Sequence, residues 1–470
     1  MASRFDAVYN RLPVFLQNTA ISLYGRKLRR LRYGGAYPQF ASELAASERF
    51  DAAKMEKVTE ARLQDLLRDA FLNVPYYQEL AREKGFSHRD IGLHNFARLV
   101  PTLPKHVVRS APQQFVSTAV ARDQLTYIQT SGSSGSPLPV ATTQAAIQRN
   151  YAFFARYLGW HGVDPKQRGV TFAGRLLVPM SQAKPPFWRY NAAMDTLLCS
   201  SYHLSEQWLG DYVRAIAAFK PNFIDSYPSA VASLATYMNR HGHSLAIRPK
   251  VVITSSETLL DSQRAEIEQA FGCPVRDHYG CAEMAALITQ CEYGTYHVNP
   301  EFGILEVLRE DGTACAPGEI GDICCTGFVN NTMPLVRYLI GDRAESIANN
   351  CACGRAFPAI GKLHGRMDDV ILTPEGNQVG RLDPAFKGGS GIREAQIIQT
   401  HIDRVRVLIV PDATFTKDAG DTLKKELQRR LSDRMEIAIE TVAAIPRQRN
   451  GKFRSVVSLL KSNKTEHGVN

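Results

Sequence analysis

The 470-residue chain contains no run of about 18 apolar residues, the length a helix needs to cross the hydrocarbon of a bilayer. A transmembrane helix is therefore not expected. The apolar stretch from Leu12 to Ile21 is interrupted by Gln17 and Asn18 and precedes no small-residue cleavage signal. It does not read as a secretory leader, and a cytoplasmic location is the expectation. Internal repeats and low-complexity tracts are lacking apart from one Ser/Gly cluster, which excludes solenoids and fibrous arrays. Cysteine is sparse. Nine in so long a chain, several of them in CxC or CC pairs, suit reduced thiols or a metal better than a disulfide framework.

The apolar and charged fractions, 44% and 22%, are those of an ordinary folded protein. The length exceeds one hydrophobic core, so two or three structural domains are expected. A net charge of +10 would serve nucleic acid, an anionic membrane surface or a phosphorylated substrate equally. The densest basic run, Arg26 to Arg32, also holds Leu28 and Leu31 and reads as a solvated helix face.

Helical spacing of Leu63, Leu66, Leu67 and Phe71 predicts a helical lead-in over the first hundred residues. After Tyr127, short apolar strands alternate with helices. Phe223 to Asp225 precedes Pro228, which suits a first helical turn, and Val251 to Thr254 precedes a helix from about Asp261. This alternation predicts an α/β sheet that binds ligands at the carboxyl ends of its strands. Strand-like runs at Gly303 to Leu308 and Ile320 to Cys325 predict a small β subdomain. Alternating strands over 396–409 and a leucine stripe at Leu423, Leu427 and Leu431 predict a separate α+β lobe. The division expected is residues 1–364 and 365–470.

Residues 130–137 read TSGSSGSP after an apolar strand. Glycines and small hydroxyl residues at this density let backbone N–H and side-chain O–H groups close around phosphate oxygens; a flexible Ser/Gly linker has the same composition. No GK[ST] follows and the GxSxG order is absent, so neither a Walker loop nor a hydrolase elbow is indicated. Residues 279–283 read YGCAE, where an aromatic ring can stack on a base and a carboxylate can hold Mg²⁺ shared with phosphates. Arg337 to Asp342 read RYLIGD, with a carboxylate at a turn able to accept both ribose hydroxyls. GRMDD at 365–369 lies where composition shifts between lobes, and Lys452 lies on a Gly-containing loop near the C-terminus. Each motif alone is equally compatible with a surface loop.

In this order the five motifs resemble the adenylate-forming superfamily of acyl-CoA synthetases, over roughly residues 130–454. Within it the chain looks most like the phenylacetate CoA ligase group, in the branch found in capsular polysaccharide gene clusters, through GRLDPAFKG at 380–388 and the opening around Leu12 to Arg29. The resemblance implies a large N-terminal lobe that binds ATP and an organic acid, and a small mobile C-terminal lobe. It implies that Thr130, Ser131, Gly132, Ser133, Ser134 and Gly135 cradle the ATP phosphates, with Glu283 on Mg²⁺ and Tyr279 against adenine. It likewise puts Asp342 on the ribose and Arg366 at the nucleotide, with Ser256, Glu257 and Gly280 completing that set. Asp368 would be the hinge and Lys452 the adenylation lysine. Tyr227, Ser229, Ser255 and Gly280 would border the acid pocket, whose moderately polar residues suggest a small aromatic or short acyl carboxylate.

Departures are visible. Leu138 stands where many members carry a lysine, and Ala282 where a Ser or Thr usually precedes the magnesium glutamate. VILTPEGNQVG replaces the usual continuation toward an RG turn in the acceptor region. The acceptors rank as CoA first, then a carrier-protein thiol, then an amine or sugar hydroxyl. Neither nucleic acid nor a membrane span is expected as a partner, and a homodimer is left open.

Cys291 and His297, with Cys351 and Cys353 of CACGR, offer two pairs of ligands that suit a closed tetrahedral Zn²⁺ site. Buried free thiols would look the same in sequence. The phenylacetate ligase group resembles this chain in pairing Cys and His with a later CxC, which favours zinc in a structural role. Two other classes fit parts of the sequence: a non-catalytic zinc-containing binding protein, for example for nucleic acid, and a serine hydrolase using Ser133 or Ser134.

Overall fold

The computed structural model describes residues 4–130, 138–174, 176–179, 181–257, 259, 261–349, 351–364, 371–379, 382, 385, 391–411, 413–443, 445 and 456–460. Its centre is one sheet of 13 strands. Five parallel strands form the inner part in the spatial order Thr196–Ser200, Gly169–Ala173, Phe223–Ser226, Val251–Ser255 and Val275–Gly280. Parallel strands need a crossover between them and are covered on both faces, which explains the unbroken apolar run Val251, Val252 and Ile253, all without exposure. Pro228 occupies the first turn of the Pro228–His241 helix, where its missing N–H costs nothing, and Gly242 ends that helix at φ 64°.

Beyond Val275–Gly280 the sheet turns antiparallel through Leu287–Gln290, Tyr296–Val298, Ala359–His364, Tyr338–Ser346, Ile320–Gly327 and Gly303–Leu308. The small β region read from residues 302–336 is thus a wing of the same sheet. The lead-in helix Ala52–Asn73 packs Leu63, Leu66 and Leu67 into one core with Ile288, Val298 and Ile323 of that wing.

A second, four-stranded sheet runs in the order Glu436–Thr441, Arg404–Pro411, Ile392–His401, Val456–Ser458, with the Lys417–Arg430 helix across it. Leu423, Leu427 and Leu431 pack with Val405, Val407 and Ile409 in a core of its own, as the leucine stripe requires. Tyr202 of the large lobe enters this core, and its hydroxyl accepts from Arg430 Nη1 at 2.8 Å. Among the described residues no helix is long and apolar enough to cross a membrane.

A buried network ties the N-terminal helices to the sheet. Arg156 donates to both carboxylate oxygens of Glu301 at 2.7 and 3.1 Å, and Ser47 donates to the same carboxylate at 2.6 Å. Burial works to raise the Glu301 carboxyl, but the Arg156 charge and these hydrogen bonds hold it below its ordinary 4.5. A depressed carboxyl stabilises the fold above that pH, and the contribution is lost as pH falls through the lowered value. Glu301→Ala leaves Arg156 buried and uncompensated. It is expected to cost about 3–5 kcal/mol in denaturant unfolding at neutral pH, with a smaller cost in acid.

Candidate active site

The Val275–Gly280 strand carries Tyr279 at its carboxyl end, and the chain then turns through Cys281 and Ala282 to Glu283, with Met284 in the left-handed region at φ 55°. Tyr279 is therefore held by the sheet rather than by a loop. Its hydroxyl donates to Asp342 Oδ2 at 2.7 Å across 63 residues of sequence.

Asp342 lies inside the Tyr338–Ser346 strand, not on a surface turn. The ladder there steps from Asp322 opposite Arg343 to Cys324 opposite Leu339, so Ile340, Gly341 and Asp342 face the single residue Ile323. This is a bulge, and Gly341 takes φ 91° within it, a conformation open to glycine at little cost. Bulges re-aim side chains, and this one brings Asp342 to Tyr279. Arg337, from the same motif, is structural: it pairs with Glu306 at 2.9 Å and donates to the Ala97 and Val100 carbonyls.

Glu283 is 4% exposed, and one of its oxygens lies 3.1 Å from Lys105 Nζ and 3.1 Å from the Tyr338 hydroxyl. Burial works to raise this carboxyl; the Lys105 charge, together with hydrogen bonds, overcomes it and holds the group below its usual range. A buried, ionised carboxylate beside a cation can take a share of a Mg²⁺ ion that also holds substrate phosphates, since Mg²⁺ uses one or two carboxylates and keeps its other ligands as water and phosphate. Nothing in the sequence around Lys105 marks it as a site residue. It is 178 residues from Glu283, and only the parallel pairing of Leu103–Pro104 with Tyr338 and Leu339 brings it there.

Thr130 closes the root of the Ser/Gly segment: its N–H donates to the Leu138 carbonyl at 3.0 Å, and its hydroxyl accepts from the Leu138 N–H at 2.9 Å. The flanking strands Thr126–Gln129 and Pro139–Thr142 form a hairpin whose Val140 and Ala141 share a core with Ala285 and Ala286, next to Glu283. Ser131, Gly132, Ser133, Ser134, Gly135, Arg366, Asp368 and Lys452 lie outside the described residues.

Ser255 ends its strand, and Ser256 follows at φ 72°, a strained conformation for a residue with a Cβ. Both border a cavity of about 500 Å³ together with Gly280, Cys281 and Ala282. Tyr227 and Ser229 do not line it. The Tyr227 hydroxyl accepts from the Gly174 N–H at 2.9 Å, and the Ser229 N–H donates to Glu257 at 3.0 Å. The cavity lies between one face of the parallel strands and the helices Val14–Tyr33 and Gln144–Trp160.

The four Cys and His residues meet as well. Their ligand atoms lie within 4.8 Å of one another, with Cys291 and Cys351 sulfurs 3.6 Å apart and Cys353 Sγ 3.4 Å from His297 Nε2. Two thiolates about 2.3 Å from one tetrahedral ion stand roughly 3.8 Å apart, so the spacing fits zinc. His297 Nδ1 faces the Phe357 carbonyl at 3.1 Å, so it carries the proton and leaves Nε2 as the ligand. Burial opposes ionisation of Cys351, yet hydrogen bonds involving Thr295, the Cys353 N–H and His297 hold its thiol at about 6.

The profile of the AMP-binding enzyme family matches residues 58–334, more than half of the chain. The chain belongs to the AMP-binding enzyme family. A CapK C-terminal domain matches residues 371–459 of this AMP-binding enzyme. Protein CapK of Staphylococcus aureus is 27% identical over 97% of the chain and 99% of its own length. The phenylacetate-coenzyme A ligase of Thermus thermophilus is 22% identical over 87% and 97%. A solved 2-hydroxyisobutyryl-CoA ligase, in complex with 2-HIB-AMP and CoA, superposes with a TM-score of 0.56 at 20% identity, covering 88% of this chain and 91% of that one. That likeness is one of fold. The chain is accordingly an adenylate-forming enzyme of the acyl-CoA synthetase type.

Proposed function

We propose that the enzyme activates an organic acid with ATP and then transfers the acyl group to CoA. The Tyr279–Asp342 hydrogen bond and the ionised Glu283 four residues on, with Gly280, Cys281 and Ala282 between them bordering the cavity, carry this reading. In the first step a carboxylate oxygen attacks the α-phosphorus of ATP, the bond to the β-phosphate bridging oxygen breaks, and pyrophosphate leaves. In the second, the CoA sulfur attacks the acyl carbon, its proton is lost to solvent, and AMP leaves.

A carboxylate approaching an anionic phosphate meets repulsion, so the site must hold an in-line geometry and supply positive charge. Mg²⁺ bound with the phosphates supplies part of that charge. Glu283 would hold it, Tyr279 would pack on the adenine and Asp342 would accept the ribose hydroxyls. The Ser131 to Gly135 segment would enclose the phosphates, Ser256 and Glu257 would border them, Arg366 would meet the nucleotide, and Lys452 would bridge the reacting groups. Residues 1–364 and 365–470 would then be the two lobes, turning at Asp368, in the cytoplasm where ATP and CoA are supplied.

CoA as acceptor is supported by the phenylacetate-coenzyme A ligases among the relatives. Incubation with MgATP, an acid panel and CoA, followed by mass spectrometry, is expected to give acyl-CoA. Accumulation of acyl-AMP that turns over only with an amine, a sugar or a carrier protein would contradict the choice of CoA.

Zinc at Cys291, His297, Cys351 and Cys353 would be structural, because four protein ligands leave no position for water. The purified chain is expected to carry about one zinc per chain. Cys353→Ser is expected to reduce this to near none and to lower the unfolding temperature by roughly 5 °C or more. An unchanged midpoint with zinc absent from the wild-type chain would leave the cluster as reduced thiols.

A further inference from the structure

The register of the parallel strands decides what faces the cavity. Asp225 sits opposite Thr171 on one side and Ile253 on the other, and Ser255 sits opposite His278, so these residues share one face of the sheet. Asp225, Ser255 and His278 all line the cavity. Asp225 is level with Ile253, two residues before Ser255, which places it roughly 6–7 Å deeper along the strand direction than the cavity mouth.

Across the cavity stands Arg32, near the carboxyl end of the Val14–Tyr33 helix, in the basic run that the sequence suggests is merely solvated. Its guanidinium lies over the Tyr151 ring, 4.6 Å from the centroid. Among the described residues the Asp225 carboxylate accepts no hydrogen bond and Arg32 donates none. Both are half-buried and line the cavity, with no hydrogen-bond partner among those residues. Burial pushes the Asp225 carboxyl up to about 6 although the Arg32 charge works to lower it. A half-buried carboxylate without protein donors is only partly solvated, and a ligand that supplies a donor there is favoured.

We infer that this cavity selects a carboxylic acid whose far end carries a neutral polar group, a hydroxyl or an amide, able to donate to Asp225 and accept from Arg32 at once. The inference rests on the reading that the chain adenylates an acid. With the reacting carboxylate at Ser255 and Gly280, the polar group lies about five carbon–carbon bonds away. A plain hydrocarbon or phenyl tail would leave both charged groups unsatisfied, which sites built for hydrogen bonding reject strongly. This narrows the small aromatic or short acyl carboxylate expected from sequence to one whose far end is polar.

Acid-dependent pyrophosphate exchange with matched pairs tests this: phenylacetate against para-hydroxyphenylacetate, and hexanoate against omega-hydroxyhexanoate and the omega-amide. The polar member of each pair is expected to win by about a hundredfold or more in kcat/KM. Asp225→Leu, and separately Arg32→Leu, should erase that preference while the plain acid holds or improves; two variants on different walls guard against a folding failure in one. Equal or better use of the plain acids by the wild-type enzyme overturns the inference and leaves adenylation standing. Exchange with no acid of either kind overturns the adenylation reading, and this inference with it.

Discussion

Lys452→Ala is expected to slow formation of the acyl-adenylate by about two to three powers of ten, the usual effect of losing about 3 to 4 kcal/mol of preorganised charge. The reason is electrostatic. The attacking carboxylate and the α-phosphate are both anionic, and a cation between them offsets the repulsion only where it is already in place when they meet. The lysine has no such task in the second half-reaction, which opens an uncharged acyl carbon to a sulfur nucleophile. Acyl-CoA formation from chemically prepared acyl-AMP should therefore stay within about threefold of wild type. Equal losses in both halves would point to misfolding of the C-terminal lobe, and no loss in either would remove Lys452 from the mechanism.

Glu283→Gln is expected to reduce exchange by a similar factor, about two to three powers of ten, with a raised requirement for Mg²⁺. The amide keeps the shape but removes the charge that the ion would meet, and it leaves the Lys105 ammonium, now 3.1 Å from that carboxylate, without its counter-charge. Lys105→Met acts in the opposite sense on the carboxyl. The Lys105 charge is the largest influence holding Glu283 low, so its removal lets burial push the group up. If the ionised form is the active one, the acid limb of the pH–rate profile moves to higher pH in Lys105→Met and disappears in Glu283→Gln. A profile indifferent to both substitutions would remove Glu283 from the reaction.

The parts of this site that sequence reveals are those whose residues sit close together in the chain. YGCAE carries Tyr279 and Glu283 within five positions, and CACGR carries Cys351 and Cys353, so spacing alone could nominate them. What the strands do with them was hidden. Asp342 reads as a turn residue because Gly341 precedes it, whereas the glycine serves a bulge within a strand. Tyr227 is put at the acid pocket only by resemblance, and its hydroxyl accepts from the Gly174 N–H.

Residues joined only by topology left no trace at all. Lys105 meets Glu283 through a short parallel pairing, and Arg32 faces Asp225 because a distant helix covers the sheet face. A basic run that looks solvated in sequence thus includes one half-buried arginine that lines the cavity. The alternation of strand and helix, by contrast, follows from periodicity and Pro and Gly punctuation, and the large sheet and the four-stranded lobe both show it.

Exchange of labelled pyrophosphate into ATP by the wild-type chain, run with and without a polar carboxylic acid, bears most directly on the central claim. The account predicts label in ATP only when acid is present, with no need for CoA. Label appearing without acid, or never appearing with any acid, would contradict it.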